Sequence, residues 1–276
     1  MAIQNSINTN PASFVALRNL NAVNRGLDVT QNRVSTGLRV SGALDDASNF
    51  AIAQGIRGEL KAIGAVTQGL NNAKGIGKVA LAGTTGISDL LQTVRQKITE
   101  LSNEGITTQQ RSILTNDFNQ LLSQAANFID NAVFNGVNML DTAIASPNIV
   151  TLSNLTGGTL TLSNADLRTE VNALAIVSVG SASASQAVIA TQYSALESTV
   201  NDALGSLGAE VRALELQTQF LEQISDATNE GLGNIVDADL ARESARLTAL
   251  QVQQQLSIQT LGIANQRPQS LLGLFG

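Results

Sequence analysis

Both ends of the chain carry long amphipathic segments whose apolar residues recur in alternating steps of three and four. Over residues 11–40 the recurring positions are Ala16, Leu20, Val23, Leu27 and Val34. Over residues 236–264 they are Val236, Leu240, Leu247, Leu250, Leu261 and Ala264. This spacing is typical of a coiled-coil seam. A lone helix of about 30 residues cannot bury such a stripe, so the stripes must meet each other or other copies of the chain.

The composition removes most enzymatic mechanisms. The 276 residues include no Cys, no His and no Trp, which excludes disulfides, thiolate chemistry and the usual transition-metal ligands. The common general base near neutral pH is missing as well. A carboxylate-only hydrolase or an oxygen-ligated metal site stays open as the enzymatic alternative. We expect no enzyme, no cofactor and no metal.

Neutral polar side chains are abundant. Asn and Gln together number 47, against 38 charged residues. Buried charges are costly unless paired, and the centres of interfaces are poor in Lys, Glu and Asp. The bias therefore suits a surface that packs against copies of itself, although an ordinary soluble surface is the alternative.

The net charge of −6 argues against nucleic-acid binding, but the charge is unevenly distributed. Residues 1–40 hold four arginines and one acid, Asp28, whereas residues 197–230 hold seven acids and one base, Arg212. The basic segment is expected to be attracted to acidic stretches of its own chain or of a neighbour. Solvated helix faces are the alternative.

Neither a membrane span nor a cleaved signal peptide is expected. No apolar run approaches the roughly 18 residues that cross a bilayer. The first ten residues, MAIQNSINTN, lack the basic and apolar regions of a signal peptide. On these grounds alone the expected location is the cytoplasm.

Helical spacing covers most of the chain. Asn10-Pro11 is an N-cap followed by proline at the first helical position, and this helix is predicted to run to about Leu38. Further helices are predicted from Asp45-Asp46, over Ile87–Leu101, over Leu114–Ala132, over Ile189–Leu221 with an end at Gly231 and Gly233, and from Asp237 and Asp239 onward.

Glycines at positions 55, 58, 64, 69, 75 and 77 interrupt the second of these helices. Each costs roughly 0.5–1 kcal/mol relative to Ala. Because a glycine has no side chain, it also lets another element approach closely. The segment is expected to be weak in isolation and closely packed in the fold.

The middle of the chain changes character. Asn135-Gly136 between short apolar flanks predicts a β-hairpin. Residues 147–180 are predicted to be β-rich, with two apolar runs around a turn at 153–158, and the Ser/Ala stretch 181–185 is predicted to be a linker.

The two halves mirror each other, which predicts a chain folded back on itself. The fold class is mainly α: an elongated rod of long antiparallel helices with a β-hairpin and a small β-rich central insert. The predicted divisions are terminal arms at 1–43 and 234–276, a helical core made of 44–140 and 186–233, and an insert at 141–185.

Several separated motifs resemble those of bacterial flagellins. RVSTGLRVSGALDDAS at 33–48 resembles their N-terminal signature, and the resemblance continues through 51–80, at LQTVR (91–95) and at FNGVNML (134–140). It returns in the C-terminal block 237–276, which ends in SLLGLFG. The insert at 141–185 matches no family motif, and its shortness is typical of small alphaproteobacterial flagellins.

The resemblance implies a structural subunit that polymerises into the bacterial flagellar filament for motility. In flagellins the terminal arms form an inner coiled-coil tube, the helical blocks form a shell around it, and the insert lies outermost. The packing residues expected in the arms are Leu20, Val23, Leu27, Val34, Leu240, Leu247, Leu250 and Leu261.

The resemblance also implies partners and a location. The filament is a homo-oligomer, and whether other flagellins share it is left open. The expected partners are the flagellar export apparatus, a chaperone, and the filament cap and junction proteins. The chain is expected to be secreted to the extracellular filament without a cleaved signal peptide, in place of the cytoplasm.

One departure from the family concerns recognition by the mammalian innate receptor. Flagellins that this receptor senses carry a basic and an acidic residue in the LQ-x-VR-x block. Here those positions hold Thr93 and Gln96, although Arg95 is retained. Weak receptor activation is therefore expected.

Two alternatives to the filament subunit stay in view. A hook–filament junction protein has similar terminal arms, although the match over 33–80 and the SLLGLFG end favour the filament subunit. An enzyme would need a catalytic insert, but 141–185 is small and its acids are only Asp141, Asp166 and Glu170.

The close acid pairs, Asp45-Asp46 and Asp237 with Asp239, are interpreted as helix caps. A catalytic dyad needs carboxylates that converge in a cleft, whereas acids at a helix start bond to backbone amides.

Overall fold

The computed structural model describes residues 9–141 and 148–272, with side chains to residue 266. The first eight residues, Pro147 and the end of the SLLGLFG motif lie outside the described residues. The helices are α1 (Pro11–Thr36), α2 (Ala47–Leu101), α3 (Thr108–Asn131), α4 (Leu167–Ala175), α5 (Ala182–Val188), α6 (Ser194–Val236) and α7 (Leu240–Leu272), with a π-helical turn at Ile189–Tyr193. The strands are β1 (Val133–Phe134), β2 (Val137–Asn138), β3 (Asn148–Leu152) and β4 (Thr159–Ser163), paired as two antiparallel hairpins.

The predicted fold class is confirmed: the chain is mainly helical, with a β-hairpin and a small β-rich element. It divides into two compact units, one made of the residues up to 58 together with those from 227, and the other of residues 59–226. The finer divisions at 43, 140, 185 and 233 stay a prediction.

In the first unit, α1 and α7 run antiparallel. The Asn10 side chain caps α1 by accepting from the amide of Ser13, and Gly37 ends the helix with a left-handed φ of 73°, as a C-terminal glycine commonly does. The predicted end at Leu38 is two residues late. At the other terminus α7 continues through Pro268 to Leu272.

A small core closes the end of this unit where α1 leads into α2. The amides of Arg39 and Val40 both donate to the carbonyl of Val236. Val40, Ala53 and Val236 are buried together. Gly231 and Gly233, predicted to end the preceding helix, lie inside α6, which continues to Val236; each therefore carries the entropic cost of a helical glycine without terminating the helix.

In the second unit, α2 and α6 run antiparallel and carry most of the core. The two segments predicted over Asp45–Leu70 and Ile87–Leu101 are one uninterrupted helix, α2. The glycines between them do not break it because tertiary packing overrides their low helix propensity. The largest fully buried side chains of this unit include Phe118, Leu70, Ile87, Ile98, Leu101, Ile129, Met139, Leu140, Leu162, Leu167, Leu174 and Leu196.

Close approach to α2 explains part of its glycine content. A Cβ at Gly75 would stand 2.8 Å from Cζ of Phe134, and one at Gly77 would stand 2.6 Å from Cγ2 of Val211. The Phe134 ring belongs to the hairpin at Asn135-Gly136, which adopts the predicted turn with φ of 50° and 79°. Because Gly75 and Gly77 have no side chains, the first hairpin and α6 can pack closely against α2.

The β-rich insert is smaller than predicted. Among its described residues the strands are β3 and β4, and α4 and the start of α5 follow them. The predicted linker at 181–185 is wrong: the Ser181 side chain caps α5, and Ser185 is fully buried with its hydroxyl donating to the carbonyl of Ser181. A run of serines and alanines has the low-complexity composition of a linker. The same run also predicts a helix start, because a serine at the N-cap is followed by alanines.

Polar contacts tie the insert to the helices of the same unit. Glu210 on α6 accepts from the amide and the hydroxyl of Ser163, at 2.8 and 2.6 Å. Arg168 on α4 pairs with Asp141 at 3.1 Å and also with Asp130 on α3. These bonds hold the end of β4 against α6 and the start of α4 against α3 and Asp141.

Alanine at Gly77 and at Gly64 should change stability in opposite directions. Gly77→Ala places a methyl group against Val211, so the free energy of unfolding should fall by about 1–3 kcal/mol. Gly64 has no atom near its Cβ position, so Gly64→Ala should raise it by up to ~1 kcal/mol. Urea unfolding of the depolymerised variants measures both, and a Gly77→Ala variant as stable as the parent would contradict the packing account.

Candidate assembly surface

The paired helices α1 and α7 bring most of the predicted seam residues together. Ala16 and Ala264 are buried, and the remaining members facing inward are half-buried: Leu20, Val23, Leu27, Val34, Leu247, Leu250 and Leu261. Gly26 lies close to Leu250, whose Cδ2 would be 3.5 Å from an added Cβ. Leu240 departs from the pattern: it is the first residue of α7 and is 49% exposed.

Polar contacts fix the register of the two helices. Near one end the Asn10 amide donates to the carbonyl of Ala264 at 2.7 Å, and midway Gln254 donates to Asn24 at 2.8 Å. Thr30 is fully buried in α1. Because these bonds form at several heights, sliding one helix along the other would break them all.

A further contact between the two helices is an ion pair between Arg33 and Glu243, with 3.2 Å between Nη1 and Oε1. Both side chains are largely buried, and the Nε of Arg33 and the Oε2 of Glu243 have no hydrogen-bond partner among the described atoms. A buried pair of this kind contributes little net stability but is expensive to break. Glu243 was not predicted as a contact residue: an acid in the first turn of α7 indicates a helix start, and its sequence position does not reveal Arg33 as its partner.

Each helix also has an apolar outer face that the pairing leaves uncovered. Exposed large apolar residues on α1 are Phe14, Val15, Leu17 and Val29, and those on α7 are Leu240, Val252, Leu256, Ile258 and Ile263. A helix that is apolar on more than one side is normally surrounded by other helices. The sequence predictions included only one apolar stripe per helix, so they did not include these outer apolar faces.

The loop between α1 and α2 is fixed by its acids. The Asp45 carboxylate accepts from the amide and hydroxyl of Ser41 and from the amide of Gly42, and the Asp46 carboxylate accepts from Ser48 and Asn49. Hydrogen bonds from Ser41 lower the pKa of Asp45, and those from Asn49 lower the pKa of Asp46. The pair thus orders the loop and the start of α2.

The other acid pair also acts at a helix start. Asp239 accepts from the amide of Arg242 at 3.1 Å, in the first turn of α7. Its neighbour Asp237 forms an antiparallel bridge with Leu38. The capping interpretation is confirmed for Asp239, whereas Asp237 serves the junction between α6 and α7.

The predicted receptor region lies on α2 in the second unit. Thr93, Arg95 and Gln96 are all exposed. The Arg95 guanidinium lies 5.8 Å from the centre of the Tyr193 ring and 3.5 Å from the Glu197 carboxylate. One side of the guanidinium therefore contacts the start of α6, and the other side is exposed to solvent.

Tyr193 itself is buried at the end of the π-helical turn, where its hydroxyl donates to the carbonyl of Leu91 at 3.2 Å. Burial, with the nearby Glu197 carboxylate, raises the pKa of Tyr193.

Within the described residues, no helix has both the length and the apolar character that a membrane crossing needs. Over the same ranges, no three acidic, His or Cys side chains gather in a way that could hold a metal ion.

The comparisons with protein families cover both halves of the chain. Residues 7–145 match the bacterial flagellin N-terminal helical region, and residues 190–275 match the bacterial flagellin C-terminal helical region. Flagellin FljM of Caulobacter vibrioides is 36% identical over 276 residues, with 98% of each chain covered. A flagellin of Brucella melitensis is 33% identical over 284 residues, covering 98% of this chain and 99% of that protein.

Solved structures share the fold at low sequence identity. A Bacillus cereus flagellin crystal structure matches 55% of this chain and 88% of its own, with a TM-score of 0.51 and 20% identity. A putative flagellar hook-associated protein from Vibrio parahaemolyticus matches 70% of this chain and 100% of its own, with a TM-score of 0.56 and 14% identity. At these identities the likeness concerns the fold alone.

Replacing only Arg33 or only Glu243 should destabilise the pairing of α1 and α7 more than replacing both residues together. Arg33→Met or Glu243→Leu leaves one charge without its partner, so each should destabilise the α1/α7 pair by about 1–3 kcal/mol. The Arg33→Met/Glu243→Leu double variant should recover most of that loss. Hydrogen exchange of α1 amides measures the effect.

The exposed pair Lys78–Glu215 provides the matched control. Its single variants should change stability by less than about 1 kcal/mol. Additive losses in the Arg33/Glu243 double variant would mean that the two charges are not coupled.

Proposed function

This chain belongs to the bacterial flagellin family as a structural subunit of the flagellar filament, and we propose that its copies interlock through α1 and α7. One observation carries the proposal: the two helices already cover each other on one side, yet both keep large apolar residues on the outside. Within the described residues of this unit, nothing covers those outer faces. Neighbouring subunits can supply the missing cover.

Hydrophobic burial is sufficient to drive such an assembly. Burying apolar surface contributes about 25 cal/mol per Å², or roughly 1.5–3 kcal/mol for a fully covered Leu, Ile, Val or Phe. Residues such as Phe14, Leu256 and Ile263 are about half exposed or more, so each retains a large part of this energy for contacts with other copies. Repetition along a filament multiplies the contribution of every subunit.

The side chains between these apolar residues favour the same role. On α7 the exposed positions around Val252 and Leu256 include Gln251, Gln253 and Gln255. An amide can be buried in an interface at lower cost than an unpaired charge. The outer face of α7 can therefore be exposed to water in the monomer and buried against another protein surface at low cost.

The layout expected from the family is part of the same proposal. We propose that the arms 1–43 and 234–276 line the inner tube, that 44–140 with 186–233 form the surrounding shell, and that the insert 141–185 lies outermost. The packing residues are the seam residues named above, with Leu240 turned toward a neighbouring subunit rather than into the pair, since it is exposed.

Secretion and partner proteins belong to the same proposal. The flagellin family forms filaments outside the cell, and we propose that this chain reaches them through the flagellar export apparatus, without a cleaved signal peptide. A chaperone and the filament cap and junction proteins are the further partners, and other flagellins are potential co-subunits. No nucleic acid or membrane insertion is involved.

Flagellins are structural proteins, and we propose that this one has no catalytic activity. Asp45 and Asp46, a candidate acid pair, are engaged in hydrogen bonds that order a loop and a helix start. The junction-protein alternative gains no support from these comparisons: the relatives from Caulobacter vibrioides and Brucella melitensis, more than 30% identical over 98% of this chain, are flagellins.

Removing either terminal arm should abolish polymerisation. Deletion of residues 1–40 or 237–276 removes one member of the α1/α7 pair, so neither the seam nor the outer faces can form. The second unit, which has its own core, should remain soluble and helical. Sedimentation measures polymerisation and circular dichroism measures helix content; filaments of normal length from either deletion would contradict the proposal.

Activation of the mammalian innate receptor should be weak, and Thr93→Arg with Gln96→Glu should strengthen it. These changes restore the basic and acidic residues of the sensed pattern at exposed positions of α2. Reporter cells treated with purified monomer provide the measurement, with Thr99→Arg, also exposed on α2, as the control. Potent signalling from the unaltered monomer would refute the expectation.

A further inference from the structure

Leu44 is the most exposed large apolar side chain among the described residues. It lies in the loop between α1 and α2 and is fully open to solvent, with a relative exposure of 104%. The loop is nevertheless well ordered, because the Asp45 carboxylate bonds to Ser41 and Gly42 and the Asp45 amide donates to the carbonyl of Gly42 at 3.1 Å. In the single chain the Leu44 side chain buries no apolar surface, so it adds no hydrophobic stabilisation to the fold.

The same unit carries a shallow hollow near the start of α1. It is lined by Pro11, Phe14, Val15, Leu17, Arg18 and Asn21. Phe14, Val15 and Leu17 supply exposed apolar surface, and the two polar residues stand beside it. An apolar depression with a polar rim is the usual form of a pocket that receives one anchoring side chain.

The charges around the two features are complementary. Leu44 is followed directly by Asp45 and Asp46, whereas the hollow is bordered by the cation Arg18. Hydrogen bonds lower the pKa of both aspartates, with smaller contributions from Arg33 and Arg39 of the same chain, so both carboxylates are charged at neutral pH. Opposite charges at the edge of a contact steer the approach and fix its orientation.

We propose that Leu44 of one copy inserts into the α1 hollow of another copy, with the adjoining aspartates facing Arg18. This rests on the proposed function and names one contact of the assembly. The hollow lies at the start of α1 and the loop follows its end, so at 1.5 Å per residue they are separated by roughly 20–35 Å along the helix. Two different surfaces at opposite ends make a head-to-tail contact.

A head-to-tail contact explains open-ended growth. When a protruding apolar residue fits a pocket elsewhere on the same molecule, each added copy presents a new free residue and a new free pocket. Such contacts form filaments unless their rotation closes a ring. A two-fold contact of Leu44 with Leu44 would stop at a dimer.

Substitution of Leu44 should weaken polymerisation without unfolding the monomer. Leu44→Asp should raise the critical concentration for assembly of the full chain about tenfold or more, while Leu44→Met should leave it within about twofold of the parent. Ile176→Asp is the matched control, since Ile176 is also highly exposed but lies in the insert. Equal critical concentrations for Leu44→Asp and the parent would overturn the proposal.

Crosslinking locates the partner surface, since the chain has no native cysteine. Filaments of the Leu44→Cys/Val15→Cys variant, treated with a short bismaleimide, should give a ladder of covalent dimers, trimers and longer chains. Leu44→Cys/Val29→Cys is the control, because Val29 is also exposed on α1 but lies two heptads after Val15 and outside the hollow. It should give no ladder.

Other occupants of the hollow would give different products. Dimers from Leu44→Cys alone would indicate a two-fold contact. An intramolecular crosslink in Gln4→Cys/Val15→Cys monomer that persists in filaments would assign the hollow to the chain's own first residues. Either result overturns the Leu44 contact.

The proposed function fails separately from this contact. If filaments form and Leu44 proves dispensable, the arms still interlock but through other residues. If the deletions of residues 1–40 and 237–276 leave polymerisation intact, the role of α1 and α7 itself is wrong.

Discussion

The antiparallel pairing of α1 with α7 is the contact on which the assembly surface depends. Half-buried leucines and valines supply its apolar seam, while the Arg33–Glu243 pair and the Asn24–Gln254 bond fix its register. Apolar contact alone tolerates sliding by a heptad, because the stripe repeats. Polar partners at fixed heights do not. The register in turn decides how the outward-facing residues of α1 are placed along the axis relative to those of α7, so contacts made inside one chain set the geometry of the outer apolar faces.

A different constraint governs the second unit. At two positions of α2 a glycine leaves space for a side chain of a neighbouring element to pack against the helix backbone. Gly75 and Gly77 leave room for Phe134 and Val211, and each glycine costs roughly 0.5–1 kcal/mol of helix propensity relative to Ala. Packing against the hairpin and α6 offsets that cost. The insert is held to this packing by Glu210, which bonds to Ser163 at the end of β4, and by Arg168 at the start of α4.

The sequence was sufficient to predict the class of fold, the hairpin at Asn135-Gly136 and the start of α1, since each rests on local chemistry that few alternatives satisfy. Prediction failed where tertiary contacts decide the outcome. The continuity of α2 through its glycines and the helical state of residues 182–188 depend on what packs against them. Glu243 was missed because pairing across more than 200 residues leaves no local pattern, and the outer faces were missed because an amphipathic template counts one stripe only.

Seam residues and outer residues play separable parts, and this follows from where their partners lie. A seam residue such as Leu27 is half-buried within its own chain, so its loss weakens the folded arm and, through the register, the filament. An outer residue such as Ile258 is more than half exposed, so its energy is realised only when a neighbour arrives. Scattered exposed apolar residues separated by amides are ordinary on a single chain, and in the assembly proposed above the same residues are the ones that a neighbouring subunit covers.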